Sequence, residues 1–195
     1  MFIFSFDDYC EENYRIAELL QSKNIKATFY IELYPQKGRG TFDDAIKQIE
    51  WLSDIGMEIG GHSMTHPSDL KHLNEKELDY EIVKSKYILE KITGKKITKF
   101  AYPRGRYNKG VKKVLYDAGY TEARTTKIGD ANNVMDKMEM VTTVHIYNRN
   151  EYNGLTWQQW FEKHKHDAVV HTWAHGWEMT ENNDWNDFEK IIKGL

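Results

Sequence analysis

The sequence is poor in cysteine, in proline and in net charge. Its 195 residues include one cysteine and three prolines, and the formal net charge is −3. The lone cysteine, Cys10, excludes an internal disulfide, and so few prolines argue against proline-rich linkers. A slightly acidic chain also lacks the basic footprint of nucleic-acid-binding proteins. We therefore expect no nucleic-acid partner, and we interpret Cys10 as a small packed residue.

Long apolar runs are also missing. No stretch approaches the roughly 20 apolar residues that a membrane span requires, so we expect no membrane-spanning segment. The N-terminal stretch MFIFSFDDY turns acidic too early for the apolar region of a signal peptide. As written, the sequence predicts a cytoplasmic protein, and an extracytoplasmic location stays open if the N-terminus is truncated. The oligomeric state is left open.

Short β-type patterns alternate with longer helical ones along the whole sequence. Buried strands are predicted at residues 2–6, 26–31, 57–59, 97–102, 120–124, 141–146 and 168–171. Helices are predicted at residues 10–22, 41–55, 74–92, 108–118, 155–163 and 184–192. Thr41 and Asn74 are the expected N-caps of two of these helices. Residues 126–140 are polar and weakly patterned, which predicts a loop.

This alternation predicts an α/β fold with a parallel sheet, in a single domain over residues 1–195. Six to eight strands in a chain of this length suit a small, partial (β/α) barrel. An open doubly wound sheet is the alternative. In both architectures the functional groups gather at the carboxyl ends of the strands, so residues of interest should follow strands.

Polar residues do follow the predicted strands. Asp7 and Asp8 follow the first strand, and His62 and His66 follow the third. The other strand ends carry Tyr102, Arg104, Arg124, His171, Trp173, His175 and Trp177. We expect these side chains to meet at one rim of the sheet, where they would form the functional site.

The spacing of His62 and His66 suits a shared metal ion. A four-residue offset places two imidazoles on one side of a helical turn, close enough for both to bind one ion. A carboxylate from Asp7 or Asp8 would complete a set of two histidines and a carboxylate, with positions left for water and substrate. The alternative for His62 and His66 is that they are surface or capping histidines. The alternative for Asp7 and Asp8 is that they are solvated at a turn or cap the helix near Cys10.

Several segments resemble the motifs of one enzyme family. FSFDD at residues 4–8 resembles the first motif of the polysaccharide deacetylases, carbohydrate esterase family 4, and GHSMTH at residues 61–66 resembles the second. FAYPRG at residues 100–105 occupies the place of the third motif, and VVH at residues 169–171 resembles the fifth. The order and spacing of the motifs match over nearly the entire chain.

The resemblance implies a partial or distorted (β/α) barrel of seven or eight parallel strands with one bound divalent metal ion. Zinc is the expected ion, and cobalt, nickel or iron are alternatives. The implied metal ligands are Asp8, His62 and His66. Asp7 would be the general base, His171 the general acid, and the backbone N–H of Arg104 a donor to the oxyanion. The implied substrate is an N-acetylated glycan such as a chitooligosaccharide or peptidoglycan, hydrolysed to acetate and a free amino sugar.

The third motif departs from the family pattern in two ways. Ala101 stands where the family often has an arginine that orients the base. We hypothesise that Arg124, at the end of a neighbouring strand, reaches Asp7 instead; a surface ion pair is the equal alternative. Arg104 replaces a common aromatic residue and would favour an anionic or phosphate-bearing substrate. Tyr102, in the same motif, is a further candidate for substrate contact.

The C-terminal stretch HTWAHGWEM, residues 171–179, is richer than the fifth motif requires and resembles a stretch of some short family members. His171 and His175 are also four residues apart, so a second metal pair is a further alternative. We favour His171 as the acid, with His175 orienting it or touching substrate. Trp173 and Trp177 either stack on the sugar rings of a substrate or cover the hydrophobic core. The remaining histidines are expected to be structural or exposed: His72, His145, His164 and His166.

Sugar N-deacetylation is the function that these features favour. Hydrolysis of another C–N bond, in a small cyclic amide or a formamide, is the first alternative on the same scaffold. The second alternative is a non-catalytic carbohydrate-binding protein that has kept the fold. The presence of both Asp7 and Asp8 argues against it.

Overall fold

The computed structural model describes residues 1–147 and 154–195, and its centre is a sheet of eight strands. The strands are β1 (Phe2–Asp7), β2 (Ala27–Ile31), β3 (Glu58–Gly61), β4 (Lys99–Ala101), β5 (Glu122–Ile128), β6 (Met140–Thr142), β7 (Val144–His145) and β8 (Val170–His175). Every strand pair in this described part is parallel, and the order is β6-β5-β4-β3-β2-β1-β8-β7.

The strand order confirms the distorted (β/α) barrel. Around the sheet, β1 to β6 follow one another in chain order, and β7 and β8 lie on the other side of β1, with β8 next to β1. The strands therefore wind once around the barrel in chain order. A doubly wound sheet would instead reverse its direction at a switch point. Hydrogen bonding within the described residues joins every neighbour except β6 and β7, so the barrel is nearly closed.

Helices surround the sheet. They are α1 (Glu12–Gln21), α2 (Phe42–Asp54), α3 (Glu75–Leu78), α4 (Ser85–Thr93), α5 (Lys109–Asp117), α6 (Trp157–His164), α7 (Trp177–Glu181) and α8 (Trp185–Gly194). A π-helical segment, Asp79–Lys84, joins α3 to α4. Thr41 and Asn74 are N-caps, as predicted, and each also forms a capping box. In the part of the chain that the structure describes, no helix has the length and apolarity needed to cross a bilayer.

Several of the predicted segments differ from the structure. The single strand predicted at residues 141–146 is two short strands, β6 and β7. Residues 126–140 are not all loop, because β5 extends to Ile128, and a 3₁₀ turn, Lys137–Glu139, precedes β6. The last strand was predicted to end at His171, whereas β8 continues to His175 and is followed by α7. This stretch is polar in sequence, yet it forms a strand that is buried on both faces. Thr172 and Ala174 are buried on one face, and His171 and Trp173 are buried on the other.

Alternation along the strands separates the packing face from the functional face. On β1, Phe4 and Phe6 face the helices, where they pack against Phe161 of α6 and Phe188 of α8. The intervening residues, including Asp7, therefore point into the barrel. The same alternation directs His171, Trp173 and His175 of β8 inward. Side chains near the carboxyl ends of these strands reach the mouth of the barrel.

Candidate functional site

The carboxyl ends of the strands surround a cavity of about 250 Å³. Segments that follow β1, β2, β3 and β4 contribute side chains to it, together with residues of β5 and β8. The lining residues are Asp7, Asp8, Gln36, Arg39, His62, His66, Arg104, Thr126, Trp173, His175 and Trp177. The structure thus brings together most of the residues that the sequence predicted for the site, at the end of the barrel where such folds place their chemistry.

Asp8, His62 and His66 form a compact group that suits a metal ion. Oδ1 of Asp8 lies 3.4 Å from Nε2 of His62 and 3.6 Å from Nε2 of His66. Metal–ligand bonds of about 2.0–2.1 Å in a tetrahedron give ligand separations of about 3.3 Å. Oδ1 is buried and accepts no hydrogen bond from the described residues. A buried carboxylate oxygen aimed at two imidazole nitrogens is the donor set of a zinc-type site.

Hydrogen bonding fixes the ring of His62 in a ligand-competent state. Its Nδ1 lies 2.8 Å from the carbonyl oxygen of Ala101. A carbonyl only accepts, so Nδ1 carries the proton and Nε2 keeps its lone pair for a metal. Burial lowers the pKa of His66 to about 4. His66 is therefore neutral near pH 7, as a metal ligand must be.

A buried glutamate holds the loop that carries both histidines. Oε2 of Glu81 accepts the backbone N–H groups of Met64 and Thr65, each at 2.9 Å. Oε1 accepts the hydroxyl of Thr65 at 2.7 Å. Glu81 lies in the π-helical segment between α3 and α4, a kind of distortion that often marks functional sites. The helix on the barrel exterior thus sets the shape of the His62–His66 loop.

Left-handed backbone conformations concentrate at the cavity. Six non-glycine residues of the described chain have positive φ, and four of them are at or beside the site: Asp8, Ser63, His66 and Arg104. Each such conformation costs free energy, and local contacts compensate for it; Ser63 Oγ, for example, accepts the His66 N–H at 3.0 Å. Strain of this kind typically accumulates where side-chain direction matters more than stability.

Arg124 lies directly on Asp7. Its Nη2 donates to both carboxylate oxygens of Asp7. Its guanidinium carbon lies 5.2 Å from the ring centroid of Tyr30 and 4.7 Å from that of Trp173. The side chain of Arg124 is almost fully buried. Ala101 and Arg124 are register partners on β4 and β5. An arginine therefore reaches Asp7 from the strand beside the one that carries the third motif.

His175 lines the cavity and His171 does not. Because they are four residues apart on an extended strand, their Cα atoms are about 13 Å apart. His171 is buried below the site, with Nε2 3.1 Å from Ser5 Oγ. Burial and the charge of Arg124 lower its pKa to about 3, so the ring is uncharged near pH 7. This position argues against His171 as the general acid. One ion shared by both histidines is also ruled out, because the segment is a strand and not a helix.

Glu178 of α7 binds the ring of His175. Its Oε2 lies 3.2 Å from His175 Nδ1 and accepts the His175 backbone N–H at 2.7 Å. Nε2 of His145 lies 3.2 Å from the same oxygen. Burial opposes the charged carboxylate, but the two imidazoles outweigh it and lower the pKa of Glu178 to about 2. Although burial opposes protonation of His175, Glu178, Asp7 and Asp8 raise its pKa.

The aromatic candidates fall into two groups. Trp173 and Trp177 line the cavity, and within the described chain neither indole N–H has an acceptor. Trp177 stacks on His175 with ring centroids 5.0 Å apart. Tyr102 is buried away from the cavity, stacks on Tyr107 and donates its hydroxyl to the Met138 carbonyl. Tyr102 therefore packs behind the cavity wall, whereas Arg104 from the same motif lines the cavity.

Sequence reasoning missed several residues of the site. Gln36 and Arg39 come from the loop after β2, and Gln36 Nε2 donates to Asp8 Oδ2 at 2.8 Å. Glu32, at the end of β2, is fully buried, and burial with the charge of Asp8 raises its pKa to about 8. The rule that functional groups follow strands would have indicated this loop. Glu178 has a similar signal, because it follows His175 by three residues at the start of a helix.

The fold and the site define a class: a (β/α) barrel with two histidines and two aspartates at its carboxyl end. A family model for polysaccharide deacetylases matches residues 1–123. The chain therefore belongs to the polysaccharide deacetylase family. Residues 124–195, which include Arg124 and His175, lie outside the match, so their roles depend on the geometry described above.

Individual relatives are distant. YxkH of Bacillus subtilis strain 168, a candidate polysaccharide deacetylase, is 27% identical over 133 residues, which is 67% of this chain and 46% of that protein. The Streptococcus pyogenes deacetylase PplD, solved with acetate, is 25% identical with a TM-score of 0.60, covering 70% of this chain and 61% of its own. The chain thus spans about half the length of the curated relative and less than two thirds of that solved structure.

One structural neighbour is inactive. A family 4 carbohydrate esterase pseudoenzyme from Bacillus anthracis is 22% identical with a TM-score of 0.67, covering 100% of this chain and 60% of its own. A mutant of that protein has restored enzymatic activity. At this identity the likeness concerns the fold alone. Family membership therefore leaves activity to be argued from the site itself.

Proposed function

We propose that this protein is a metal-dependent N-deacetylase of N-acetylated glycans, with Asp7, Asp8, His62 and His66 at the centre of its site. The observation that carries the proposal is the metal-ligand triad of Asp8, His62 and His66 beside a second carboxylate, Asp7, in one cavity. A non-catalytic binding protein would need neither a ligand triad nor an adjacent base. Hydrolysis of another C–N bond would use the same residues, so a substrate panel must separate the two activities.

The residues present fit a zinc-type ion. Asp8, His62 and His66 would hold it, with Gln36 and the Ala101 carbonyl orienting two of these ligands from behind. When bound, such an ion polarises an amide carbonyl and lowers the pKa of water. Three protein ligands leave room for water and substrate, as in catalytic rather than structural zinc sites.

Asp7 is the proposed general base. It lies in the cavity and takes the proton of the water that attacks the acetamide carbonyl. Arg124 holds both of its oxygens, which fixes the carboxylate in place and balances its charge. Asp8 is turned toward the two histidines instead. The different partners of the two adjacent carboxylates thus support different roles for them.

The remaining groups stabilise the oxyanion and protonate the leaving amine. The backbone N–H of Arg104, in a left-handed turn at the cavity, is the proposed donor to the developing oxyanion. An amine leaves poorly unless it is protonated, so an acid is required. We assign this role to His175, because it lines the cavity and Glu178 holds its Nδ1. Breaking the C–N bond then yields acetate and the free amino sugar.

The proposal is tested by acetate release from chitotetraose and from peptidoglycan fragments. The wild-type protein should release acetate, and Asp7→Asn should lose most of that activity because the amide is not a base. Glu181→Gln, an exposed change on α7, is the matched control and should behave as wild type. Full activity in Asp7→Asn would refute the proposed base. Ring opening of a cyclic amide to its amino acid, or release of formate from a formamide, with no acetate from glycans, would favour the alternative hydrolase.

A further inference from the structure

Two arginine side chains line the cavity alongside the catalytic groups. Arg39 comes from the loop after β2, and Arg104 comes from the turn after β4. They enter from separate segments of the chain and meet at one cavity. Among the described lining residues there is no lysine, so these two guanidinium groups are its permanently charged cations.

Neither guanidinium is neutralised by the described chain. Three of the five arginines in residues 1–147 and 154–195 form ion pairs: Arg15 with Glu189, Arg106 with Asp69, and Arg124 with Asp7. Arg39 and Arg104 form none with any carboxylate in those residues. The two arginines without an acidic partner are thus the two exposed to the cavity contents.

Contacts hold the guanidinium of Arg39 and the backbone of Arg104 in place. The guanidinium of Arg39 lies 4.4 Å from the ring centroid of Trp177, which itself stacks on His175. Arg104 has φ 55° and is followed by Gly105, also at positive φ. A side chain at Gly105 would come within 2.2 Å of Thr126 Oγ1, so this turn closes tightly against β5. A cation with a fixed position, as at Arg39, is suited to recognising a specific group.

The charge balance of the cavity favours an anion. Arg124 neutralises Asp7, and the bound metal ion would neutralise Asp8. The charge that remains on the cavity walls is positive and comes from Arg39 and Arg104. Planar guanidinium groups bind carboxylates and phosphates through paired, charge-assisted hydrogen bonds. A neutral acetylated sugar would leave both cations without a counter-charge.

We infer that the preferred substrate is an N-acetylated sugar that also carries an anionic substituent, a carboxylate or a phosphate, held by Arg39 and Arg104. This inference rests on the proposed function, because it concerns the same cavity. The substituent lies beside the acetamide, since Arg39 packs on the tryptophan that contacts the proposed acid. The two arginines therefore select the sugar, while the aspartates and histidines act on its acetyl group.

Binding by calorimetry tests this inference without requiring turnover. The protein carries His175→Gln, which slows turnover and keeps the pair of Arg124 and Asp7. The probes are a tetrasaccharide of alternating N-acetylglucosamine and N-acetylmuramic acid and its carboxyl methyl ester. A second pair, N-acetylglucosamine 6-phosphate and N-acetylglucosamine, tests phosphate. We expect the charged member of at least one pair to bind about tenfold tighter than the neutral member, as charge-assisted hydrogen bonds would give.

Variants separate a specific site from general charge. Arg39→Gln should remove most of the preference for the charged probe. Arg106→Gln is the matched control, since Arg106 belongs to the same turn as Arg104 but pairs with Asp69 and the Ser68 carbonyl. It should leave the preference intact. Equal affinity for charged and neutral probes, or an equal loss in both variants, would overturn the inference.

The two proposals fail separately. Acetate release by wild type from neutral and charged sugars with equal kcat/KM would leave the deacetylase standing and overturn the anion preference. Preferential binding of a charged probe without acetate release from any sugar would uphold the anion site and refute the proposed function.

Discussion

At the scale of single residues, two adjacent aspartates are separated by the groups around them. Arg124 binds Asp7, whereas Asp8 faces His62 and His66 and accepts a hydrogen bond from Gln36. Adjacent carboxylates in one backbone segment thus have different charges beside them. This difference, rather than the residue type, supports one base and one metal ligand.

The buried pair of Arg124 and Asp7 should matter for stability as well as for chemistry. Arg124→Met leaves a buried carboxylate without its partner, which should lower the free energy of unfolding by about 3–5 kcal/mol. Adding Asp7→Asn removes that charge and should restore much of the loss. Urea unfolding of the two variants measures both effects. A double variant as unstable as Arg124→Met would contradict the charge-based explanation.

The two histidines of β8 should differ sharply in their effect on catalysis. His175→Gln should lower kcat by about 100-fold or more, the usual contribution of a general acid. His171→Gln keeps a polar group near Ser5 and should change kcat much less, provided that thermal unfolding shows a folded protein. Steady-state acetate release measures both. A larger loss in His171→Gln would restore the preference drawn from the sequence.

Glu178 should set the pH range of the reaction. Its carboxylate helps to raise the pKa of His175, and the acid acts only while protonated. Glu178→Gln should therefore move the alkaline limb of the kcat profile to lower pH, since His175 then loses its proton earlier. Glu181→Gln, on the same helix but exposed, is the control and should leave the profile in place. An unmoved limb in Glu178→Gln would argue against this role.

At the scale of elements, the sequence predicted most strands and helices but not the true end of β8. Apolar periodicity identified the buried strands, and Thr41 and Asn74 were correctly placed as caps. The stretch HTWAHG mixes imidazole, hydroxyl and indole groups, so its pattern stops looking like a strand after Val170. Contacts from distant segments decide its conformation, and local pattern cannot supply them.

The π-helical segment between α3 and α4 should control the metal site from the barrel exterior. Glu81→Gln weakens the acceptor for the Met64 and Thr65 N–H groups and should loosen the loop that carries His62 and His66. Metal affinity should fall by about 10- to 100-fold, as for other groups that support ligands. Glu75→Gln, an exposed change on α3, is the control. A competition titration with a chromophoric chelator measures both; equal affinities would contradict the role of Glu81.

At the scale of the whole molecule, a single winding of strands brings distant residues to one rim. Asp8, His62 and His66 were indicated by motif and spacing, and their approach follows from neighbouring strands. The contact between Arg124 and Asp7 was only a hypothesis from sequence, because it depends on which strands are neighbours and in what register. Gln36 and Arg39 come from a loop and Glu178 from a helix. Their places after strands could have indicated them, but their contacts depend on tertiary packing that local patterns do not define.

The metal requirement is the most direct test of the central claim. Protein stripped of metal by chelation should release no acetate from N-acetylated oligosaccharides, and one equivalent of Zn²⁺ should restore release. The His62→Ala/His66→Ala double variant should regain nothing under the same treatment, because two of the three ligands are gone. Undiminished acetate release by the metal-free protein, or by the double variant, would contradict the account.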